Sequence, residues 1–548
     1  MNLLGKRFRF TDGLSRFFLL SIHRTVVFFF FDERLETQRG YFSPTSGVFS
    51  FGTGAYYLRC PFAYVVHMPV EKVPKLVGIT VKKSDDLSEW YTQVVQKAEL
   101  ADYAPVHGFM IIRPHAMMLW EGIQRFLDAN IYLRGVRNAY FPLLIPESFF
   151  RKEAEHAAGF SPEVAWIEKE EGTEERLAIR PTSETVICDS FSKWVRSHRD
   201  LPLKLNQWCN VVRWEIKMTK PFLRTREFLW QEGHCLYATH AEEWQETLDY
   251  LEEYRKVMED LLAIPVIPGR KTDGEKFAGA VTTLTVEAWM PDGKALQCAT
   301  SHDLGQNFSK AFNISFSGED EKPHFPYQNS WGMSTRTIGA VILVHGDDKG
   351  LVLPPRLARN KVVIVPILFE QTKQVVLDAS RKLAKELGKF NAIVDEREQY
   401  SAGWKFNEWE LKGIPLRIEL GPRDLGQNQC VLVRRDTGEK KILPLHGIEK
   451  AIEHELEAMH HALFTKAKSW RDSLIVDVST MREFEHALEQ RRIIRMPFCG
   501  SVECEKAIKD KTTASSRCIP LSEKPIKGGL CVHCGKSADY RALFSKSY

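Results

Sequence analysis

The stretch from Leu203 to Ala238 constrains the fold of this chain more than any other part of the sequence. Two strand-like segments joined by a loop of about ten residues predict an antiparallel hairpin. Side chains in a strand alternate between its two faces, so residues two apart share a face. The side chains predicted to share a face are Arg213 and Glu215 in the first strand, and Phe228, Trp230 and Glu232 in the second.

The loop of this hairpin is basic. It contains Lys217, Lys220, Arg224 and Arg226, a charge pattern that suits phosphate groups. A basic loop next to an arginine, a glutamate and two aromatic residues predicts a site for a nucleotide and a small substrate. The alternative is a salt-bridged sheet surface that binds no ligand.

Arg336 stands where a cation is unfavourable. It precedes an apolar stretch, Thr337 to Val344, that predicts a helix and places this arginine in its first turn. The helix dipole disfavours a positive charge there. An anion bound by both the guanidinium and the backbone N–H groups would remove the conflict. The alternative is an ion pair with a nearby carboxylate.

These segments, in this order, resemble the signature motifs of class II aminoacyl-tRNA synthetases. Val136–Pro142 resembles the first motif, a strand that ends in proline and builds the dimer interface, and the hairpin and the Arg336 segment resemble the two motifs that hold ATP. The resemblance implies an antiparallel-sheet catalytic core, a homodimer, and Arg213 and Arg336 as catalytic residues. The implied ATP-binding residues are Arg213, Glu215, Arg224, Thr225, Gln297, Thr300 and Arg336.

Three further stretches resemble prolyl-tRNA synthetases of the archaeal and eukaryotic type, and the similarity runs from Val77 to Tyr548. They are Arg180-Pro-Thr-Ser-Glu-Thr, Phe222-Leu-Arg-Thr-Arg-Glu-Phe-Leu-Trp-Gln-Glu-Gly-His and Thr300-Ser-His-Asp-Leu-Gly-Gln-Asn-Phe. The resemblance implies ATP-dependent ligation of L-proline to tRNA(Pro) through a prolyl-adenylate, assisted by Mg²⁺. The implied proline-binding residues are Thr182, Glu184, Arg213, Phe228, Trp230, Glu232, His302 and Ser334.

Some of these residues also have purely structural explanations. Thr182 can cap the helix that follows it, with Glu184 in the first turn. His302 can be a structural histidine with its hydrogen bonds satisfied. Cys298 and Ala299 stand where relatives tend to carry smaller residues, and Cys298 is not predicted to be catalytic.

The predicted proline pocket has limited means of discrimination. The pyrrolidine ring carries no polar group, so a pocket of this kind rejects an amino acid of similar size by only about 1–3 kcal/mol per methylene. Errors and editing are therefore expected issues. Relatives of the bacterial type carry a large editing insertion between the second and third motifs, and the short span from Glu232 to Tyr327 implies that this chain lacks it.

Four cysteines near the end of the chain have the spacing of a metal site. Four residues separate the first two, 26 separate the pairs and two separate the last two. Two close pairs with a long gap predict a tetrahedral, structural Zn²⁺ site, with Cys518 and His533 as non-ligands. The alternatives are buried free thiols or disulfides. The predicted ligands are Cys499, Cys504, Cys531 and Cys534. The resemblance agrees, since these relatives have a C-terminal zinc domain and end in tyrosine.

Charge and cysteine usage narrow the class of protein. The 75 basic and 71 acidic residues nearly balance, which excludes a polybasic protein and makes any nucleic-acid surface local. Eleven cysteines, six of them scattered singly up to Cys430, indicate a reducing compartment, and the expected location is the cytoplasm. The most apolar stretch, Phe17 to Phe31, contains His23 and Arg24 and is too short for a membrane span.

We expect an α/β multidomain protein with four segments. Residues 1–76 form a disordered N-terminal extension, with a transit peptide or a start codon placed too far upstream as alternatives. Residues 77–360 form the class II catalytic domain. Residues 361–461, with alternating strand and helix patterns, form an α/β anticodon-binding domain. Residues 462–548 form a C-terminal zinc-binding α/β domain.

Two other functions compete with this interpretation. A synthetase-like RNA-binding protein without catalysis would be marked by loss of a phosphate-binding arginine, but Arg213, Arg224 and Arg336 are all present. A synthetase for threonine, serine or glycine would need a different pocket, and the segments at Arg180 and Phe222 favour proline.

Overall fold

The structure is a computed structural model that describes the backbone of residues 78–156, 163–169, 172 and 175–548, with their side chains except in 152–156. Before residue 78 it describes only the backbone of five strands. These are β1 (Leu4–Phe10), β2 (Gly13–Ile22), β3 (Thr25–Asp32), β4 (Ser50–Phe51) and β5 (Gly54–Ala55). Strands β1, β2 and β3 form one antiparallel sheet, and β4 pairs with β5. Two predictions, disorder over residues 1–76 and no membrane span at Phe17–Phe31, concern residues whose side chains the structure does not describe.

The chain separates into two compact units, Met1–Val77 and Gly78–Tyr548. The second unit begins with helices and short strands, of which β8 forms one edge of the central sheet. They are α1 (Leu87–Lys97), β6 (Ala101–Tyr103), β7 (Met110–Ile112), α2 (Pro114–Leu133), β8 (Arg137–Asn138), β9 (Leu144–Pro146), α3 (Glu147–His156), β10 (Leu177–Ile179) and α4 (Glu184–Trp194).

The sheet itself and its covering helices follow in sequence. They are β11 (Leu203–Val212), β12 (Glu227–Tyr237), α5 (His240–Lys256), which continues into a π-turn (Val257–Leu261), β13 (Ile267–Arg270), β14 (Thr282–Trp289), β15 (Ala295–Gly305), α6 (Asn307–Ala311), β16 (Phe316–Ser317), β17 (Pro323–His324), β18 (Tyr327–Ser334) and α7 (Arg336–His345).

Residues after 360 form a five-stranded sheet and then the C-terminal elements. They are β19 (Val362–Pro366), α8 (Lys373–Glu386), β20 (Ile393–Val394), α9 (Ala402–Leu411), β21 (Leu416–Leu420), α10 (Pro422–Gly426), β22 (Gln429–Arg434), β23 (Lys440–Pro444), α11 (Ile448–Leu474), β24 (Ile475–Asp477), α12 (Met481–Glu489), β25 (Ile493–Phe498), α13 (Val502–Thr512), β26 (Ser515–Pro520), β27 (Gly529–Leu530), β28 (Ser537–Ala538) and β29 (Tyr540–Ser545).

One sheet of 11 strands runs through both the catalytic and the C-terminal parts. Its order is β24-β25-β29-β26-β13-β14-β15-β18-β12-β11-β8. The pairs β11–β12, β12–β18, β18–β15 and β15–β14 are antiparallel, as the sequence predicts. The C-terminal strands join at β13, where Gly269 and Arg270 pair with Pro520 and Ile519. The sequence patterns do not predict this joining, because it depends on residues about 250 positions apart.

A buried ion-pair cluster reinforces that junction. Arg517 on β26 and Lys271 each lie within hydrogen-bonding distance of Glu287 on β14, at 2.9 and 2.8 Å. All three side chains are almost fully buried, so each charge depends on the others for compensation. Glu287 pairs across the sheet with Gln297. The C-terminal part is therefore tied directly to a strand of the catalytic sheet.

The predicted hairpin is present, but its first strand is shorter than expected. Strand β11 ends at Val212, so Arg213 and Glu215 lie in the following turn rather than on a strand face, and the prediction of their shared strand face is wrong. The N–H of Arg213 still bonds to Arg226 at 2.8 Å, and the Ile216 N–H then bonds back to Arg213 at 3.4 Å, which turns the chain.

The first-motif strand is also short. Only Arg137–Asn138 pairs, in parallel, with Leu205–Asn206. Beyond that point the side chain of Gln207 accepts the hydrogen bond from the Phe141 N–H, so the backbone ladder does not continue. A side chain thus replaces the backbone partner that a longer strand would need.

Helix α5 covers the sheet through aromatic contacts. The ring of Tyr250 stacks on Trp331 with centroids 4.0 Å apart, and the Tyr254 hydroxyl donates to Gln231 at 2.6 Å. The Trp331 ring lies so close to Gly233 that a Cβ there would come within 2.0 Å of it. Gly233 therefore has to be glycine for this packing.

The α/β pattern predicted after residue 360 is confirmed. Strands β19, β20 and β21 are parallel, and β22 and β23 continue the same sheet in antiparallel order. Helix α11 runs through position 461 into the C-terminal part. Within the described part of the chain, no helix is long and apolar enough to cross a membrane.

Candidate functional site

A cavity of about 400 Å³ opens over strands β12, β15 and β18. The start of α4, the turn after β11 and the first turn of α7 complete its wall. The predicted residues that line it are Thr182, Glu184, Arg213, Glu215, Phe228, Trp230, Glu232, Gln297, Thr300, His302, Ser334 and Arg336. Segments more than 100 residues apart in sequence thus meet in one concave site.

Two predicted residues lie outside this lining. Arg224 is exposed in the basic loop, where its backbone pairs with Lys220. Thr225 is buried, and its hydroxyl donates to the carbonyl of Glu227 at 2.7 Å. Their predicted contacts with ATP stay predictions.

One end of the cavity carries two half-buried arginines, Arg213 and Arg336. Arg336 donates to the carbonyls of Leu223 and Gln297 at 3.2 and 3.1 Å. Burial, and then repulsion from the charge of Arg213, lowers the pKa of Arg336 to about 10. No carboxylate lies within ion-pair distance of Arg336 in the described ranges. The ion-pair alternative is therefore not observed, and the local charge favours an anion.

The guanidinium of Arg213 is held by aromatic rings rather than by hydrogen bonds. It lies 5.4 Å from the ring centre of Phe228 and 5.6 Å from that of Trp230. Burial lowers the pKa of Arg213, although Glu215, Glu184 and Glu232 oppose the shift. Among the residues with described side chains, none is hydrogen-bonded to this guanidinium. Its five N–H donors are free for a ligand in the cavity.

The other end of the cavity carries two buried carboxylates. Glu232 accepts hydrogen bonds from Gln207 at 2.9 Å and from the backbone of Ser183 at 3.2 Å, and it lies 3.2 Å from His234. Burial opposes its charge, but the contact with His234 keeps the pKa of Glu232 below its ordinary value. Glu184 accepts a hydrogen bond from the Thr182 hydroxyl. This end favours a cationic group.

The structural alternative for Thr182 is wrong. Ser183, not Thr182, occupies the N-cap position of α4, and no side chain caps that end. Glu184 is the first helical residue, as that alternative required. The Thr182 hydroxyl is used to hold the Glu184 carboxylate instead.

His302 has both of the properties considered for it. Its Nδ1 lies 3.0 Å from the Thr283 hydroxyl and its ring packs 4.8 Å from Phe277, as expected for a structural histidine. It also lines the cavity. Burial lowers the pKa of His302 to about 3, so its imidazole is neutral at physiological pH.

The sequence interpretation missed several residues that line the cavity. His234 follows Glu232 by two positions on the same strand, so the alternation that placed Trp230 and Glu232 together could also have found it. Cys209 lies behind the lining, opposite Trp230 in the hairpin, and accepts its indole N–H at 3.2 Å, which orients the ring. No local pattern identifies Glu275, Phe277 or Thr283.

Cys298 lines the cavity but is not a reactive thiol. Burial, and then the nearby Glu287, raises its pKa well above the ordinary value, so the thiolate is not formed at neutral pH. We expect Cys298→Ala to retain amino-acid activation within about threefold of the parent enzyme. A loss of about 100-fold in steady-state activation would contradict this prediction.

The four predicted zinc ligands come together. All four Sγ atoms of Cys499, Cys504, Cys531 and Cys534 lie within 4.8 Å of one another, with two pairs at 3.7 Å. Burial raises the pKa of Cys499 and of Cys504, whereas backbone contacts lower the pKa of Cys531 to about 7 in spite of its burial. The donor set fits a tetrahedral Zn²⁺ ion. No disulfide links these four residues, which are free cysteines.

Most arginines of the five-stranded domain are engaged in ion pairs. Arg417 pairs with Glu419 and Arg434 with Asp436, at 3.0 and 2.8 Å. Arg435 pairs with Asp347 at 2.6 Å. Burial and carboxylate partners make these three arginines structural, whereas Arg423 is exposed.

Comparison with protein-family models assigns most of the described chain. Residues 166–345 match the model described as "tRNA synthetase class II core domain (G, H, P, S and T)". Residues 361–455 match "Anticodon binding domain", and residues 481–548 match "Prolyl-tRNA synthetase, C-terminal".

Curated relatives match over nearly their whole length. "Proline--tRNA ligase 2" of Clostridioides difficile is 50% identical over 472 residues, which cover 85% of this chain and 97% of that protein. "Proline--tRNA ligase" of Alkaliphilus oremlandii is 50% identical over 467 residues, covering 84% and 96%. The protein of the same name from Cenarchaeum symbiosum is 50% identical over 478 residues, covering 86% and 100%.

Proposed function

Because the chain belongs to the family of proline–tRNA ligases, we propose that it joins L-proline to tRNA(Pro) in two ATP-dependent steps through a prolyl-adenylate. The observation that supports this most is the polarity of the cavity. Two half-buried arginines without carboxylate partners stand at one end, and two buried carboxylates stand at the other. An amino acid and a polyphosphate bound together need both ends.

The arginine end is proposed to bind the phosphates and the carboxylate of proline. In the first step the proline carboxylate attacks the α-phosphate of ATP and pyrophosphate leaves. Negative charge grows on the α-phosphate as the bond forms, and Arg213 and Arg336 are already fixed to meet it. No protein nucleophile is needed. In the second step a ribose hydroxyl at the end of the tRNA takes the prolyl group and AMP leaves.

The carboxylate end is proposed to bind the secondary ammonium of proline. Glu184 and Glu232 supply the negative charge, and the edge-to-face rings of Phe228 and Trp230, 6.1 Å apart, wall the apolar part of the substrate. Because His302 is neutral, it adds shape and hydrogen-bonding capacity without repelling the ammonium.

Replacing Glu184 by glutamine tests this end of the site. The isosteric amide keeps an acceptor for Thr182 but removes the charge that faces the ammonium. A hydrogen bond to a charged group contributes about 1.5–3 kcal/mol, so KM for proline should rise about 10- to 100-fold. KM for ATP should stay unchanged.

The matched control for Glu184→Gln is Glu227→Gln. The Glu227 carboxylate accepts a hydrogen bond from the Asn210 side chain across the β11–β12 hairpin, at 2.7 Å. Glu227 does not line the cavity. Pyrophosphate exchange at varied proline and varied ATP separates the two constants. An equal rise in both constants, or a rise in the control, would contradict the assignment.

Mg²⁺ is proposed to accompany ATP. Glu215 and Gln297 line the arginine end and offer the oxygen ligands that this ion prefers, so the residues present fit it, and either could instead contact adenine. When bound, the ion would neutralise phosphate charge. The cysteine cluster is proposed to hold a structural Zn²⁺ ion.

The domain boundaries and the partners follow as proposals. Residues 77–360 would form the catalytic domain, 361–461 would bind the anticodon and 462–548 would form the zinc domain. The match of residues 361–455 to an anticodon-binding domain supports the second of these. We also propose a homodimer, on the resemblance of Val136–Pro142 to the first motif, and a reducing, cytoplasmic location on the free cysteines.

Charging of tRNA tests the proposed function as a whole. Purified protein with ATP, labelled proline and a tRNA(Pro) transcript should form prolyl-tRNA, whereas a tRNA(Thr) transcript should remain uncharged. Absence of charging on tRNA(Pro) by a protein that still forms the adenylate would contradict the second step.

A further inference from the structure

Three side chains of metal-ligand type converge where α5 begins. His240 is the first residue of α5, Glu243 lies one turn later and Asp303 lies on β15. Their ligand atoms lie within 4.8 Å of one another. Nε2 of His240 is 3.3 Å from Oδ2 of Asp303 and 3.7 Å from Oε2 of Glu243. None of the three lines the substrate cavity.

Glu243 carries a buried oxygen without a partner. Its side chain has no exposed surface, and Oε1 accepts from the Thr247 hydroxyl at 2.7 Å. Oε2, the oxygen that faces His240, has no hydrogen-bond partner in the described part of the chain. A buried carboxylate oxygen left in this state is unfavourable unless a proton or a cation satisfies it.

A shared proton is the simpler of the two solutions. Burial, and with it the charge of Asp303, raises the pKa of Glu243 to about 8. A protonated Glu243 could then donate to Asp303. This solution leaves His240, whose side chain is 52% exposed, as an ordinary surface partner of Asp303.

We propose instead that His240, Glu243 and Asp303 bind a divalent transition-metal cation, with Zn²⁺ as the ion of best fit. Metal–ligand bonds of about 2.0–2.1 Å at tetrahedral angles place ligand atoms ~3.3 Å apart, close to the two His240 distances. An imidazole ligand favours Zn²⁺ over Mg²⁺ or Ca²⁺. Because His240 is half exposed, the fourth position is open to water.

The surroundings support a cation in spite of the helix terminus. The N-terminal end of α5 disfavours positive charge, but two carboxylates outweigh a half charge. Thr239 and Glu242 cap that end through reciprocal hydrogen bonds. The other oxygen of Asp303 accepts the Gly305 N–H at 2.7 Å, which fixes the carboxylate as an outer-shell contact fixes a ligand.

The cation would act as a clamp close to the substrate cavity. Asp303 directly follows His302 on β15, and strand alternation sends the two side chains to opposite faces. The ring of Tyr327 on β18 lies 5.4 Å from His240. One ion would therefore tie the start of α5 to the strand that carries His302.

Metal content of the full-length protein tests the site. Protein loaded with Zn²⁺ and dialysed into metal-free buffer should hold about two ions per chain, one at the cysteine cluster and one here. Glu243→Gln should hold about one, and so should the double variant Cys531→Ser, Cys534→Ser. Combining the three substitutions should remove both ions.

Two further variants keep the test decisive. His240→Ala changes an exposed residue, so it should fold and still lose one ion. Glu242→Gln removes a carboxylate from the same turn, keeps the capping geometry and should retain both ions. With Zn²⁺ already bound at the cysteine cluster of both proteins, further Zn²⁺ should raise the melting temperature of the parent protein by at least about 2 °C and leave that of Glu243→Gln unchanged. Equal zinc content in the parent, His240→Ala and Glu243→Gln would overturn the proposal in favour of the shared proton.

Discussion

Arg213→Ala is expected to lower proline-dependent pyrophosphate exchange by about 10²- to 10³-fold, the effect of removing one fixed donor to a developing anion. The guanidinium lies 5.4 Å from the ring centre of Phe228 and 5.6 Å from that of Trp230, with its hydrogen-bond donors free for the cavity. Alanine removes the positive charge from the point where the proline carboxylate and the α-phosphate are proposed to meet. Steady-state exchange at saturating ATP and proline measures the loss.

Two comparisons make the Arg213 result interpretable. Arg213→Lys keeps the charge but loses the planar fork of donors, so it should recover only part of the activity. Arg196 is an exposed arginine two residues after α4, and Arg196→Ala should behave like the parent protein. Circular dichroism should show that all three variants are folded. Full exchange by a folded Arg213→Ala would remove this residue from the mechanism.

Loss of the cysteine cluster is expected to have the second largest effect. Cys531→Ser with Cys534→Ser should remove about one zinc ion per chain and lower the melting temperature by roughly 10 °C, equivalent to ~4 kcal/mol. A structural metal site contributes its binding energy to folding. The core that it supports contains Phe484, Phe498 and Phe544.

The zinc variant should also impair catalysis, because the C-terminal strands belong to the catalytic sheet. Loosening β26 moves Arg517 away from the buried Glu287, which lies opposite Gln297 at the arginine end of the cavity. Cys518→Ala removes a buried thiol of the same strand outside the cluster and should retain its zinc. Unchanged metal content in the double variant would refute the cysteine cluster as a zinc site.

What the sequence predicts best is local and periodic. The alternation in β12 places Phe228, Trp230 and Glu232 on one wall, and the helix that begins at Arg336 follows from its apolar period. The cysteine spacing likewise brings four thiols together. In each case a short stretch of chain determines which way the side chains point.

What the sequence does not predict depends on distant partners. Arg213 and Glu215 lie in a turn because the Ile216 N–H bonds back to Arg213, a detail that no alternation pattern contains. Phe277 and Thr283 join the cavity through the packing of His302. The catalytic sheet continues into β26 and β29, which belong to the C-terminal part of the chain.

Pyrophosphate exchange across a panel of amino acids tests most directly whether the cavity activates proline. Purified protein with ATP and labelled pyrophosphate should support exchange with proline, and only background exchange with threonine, serine or glycine. Exchange with threonine or serine and none with proline would contradict the account.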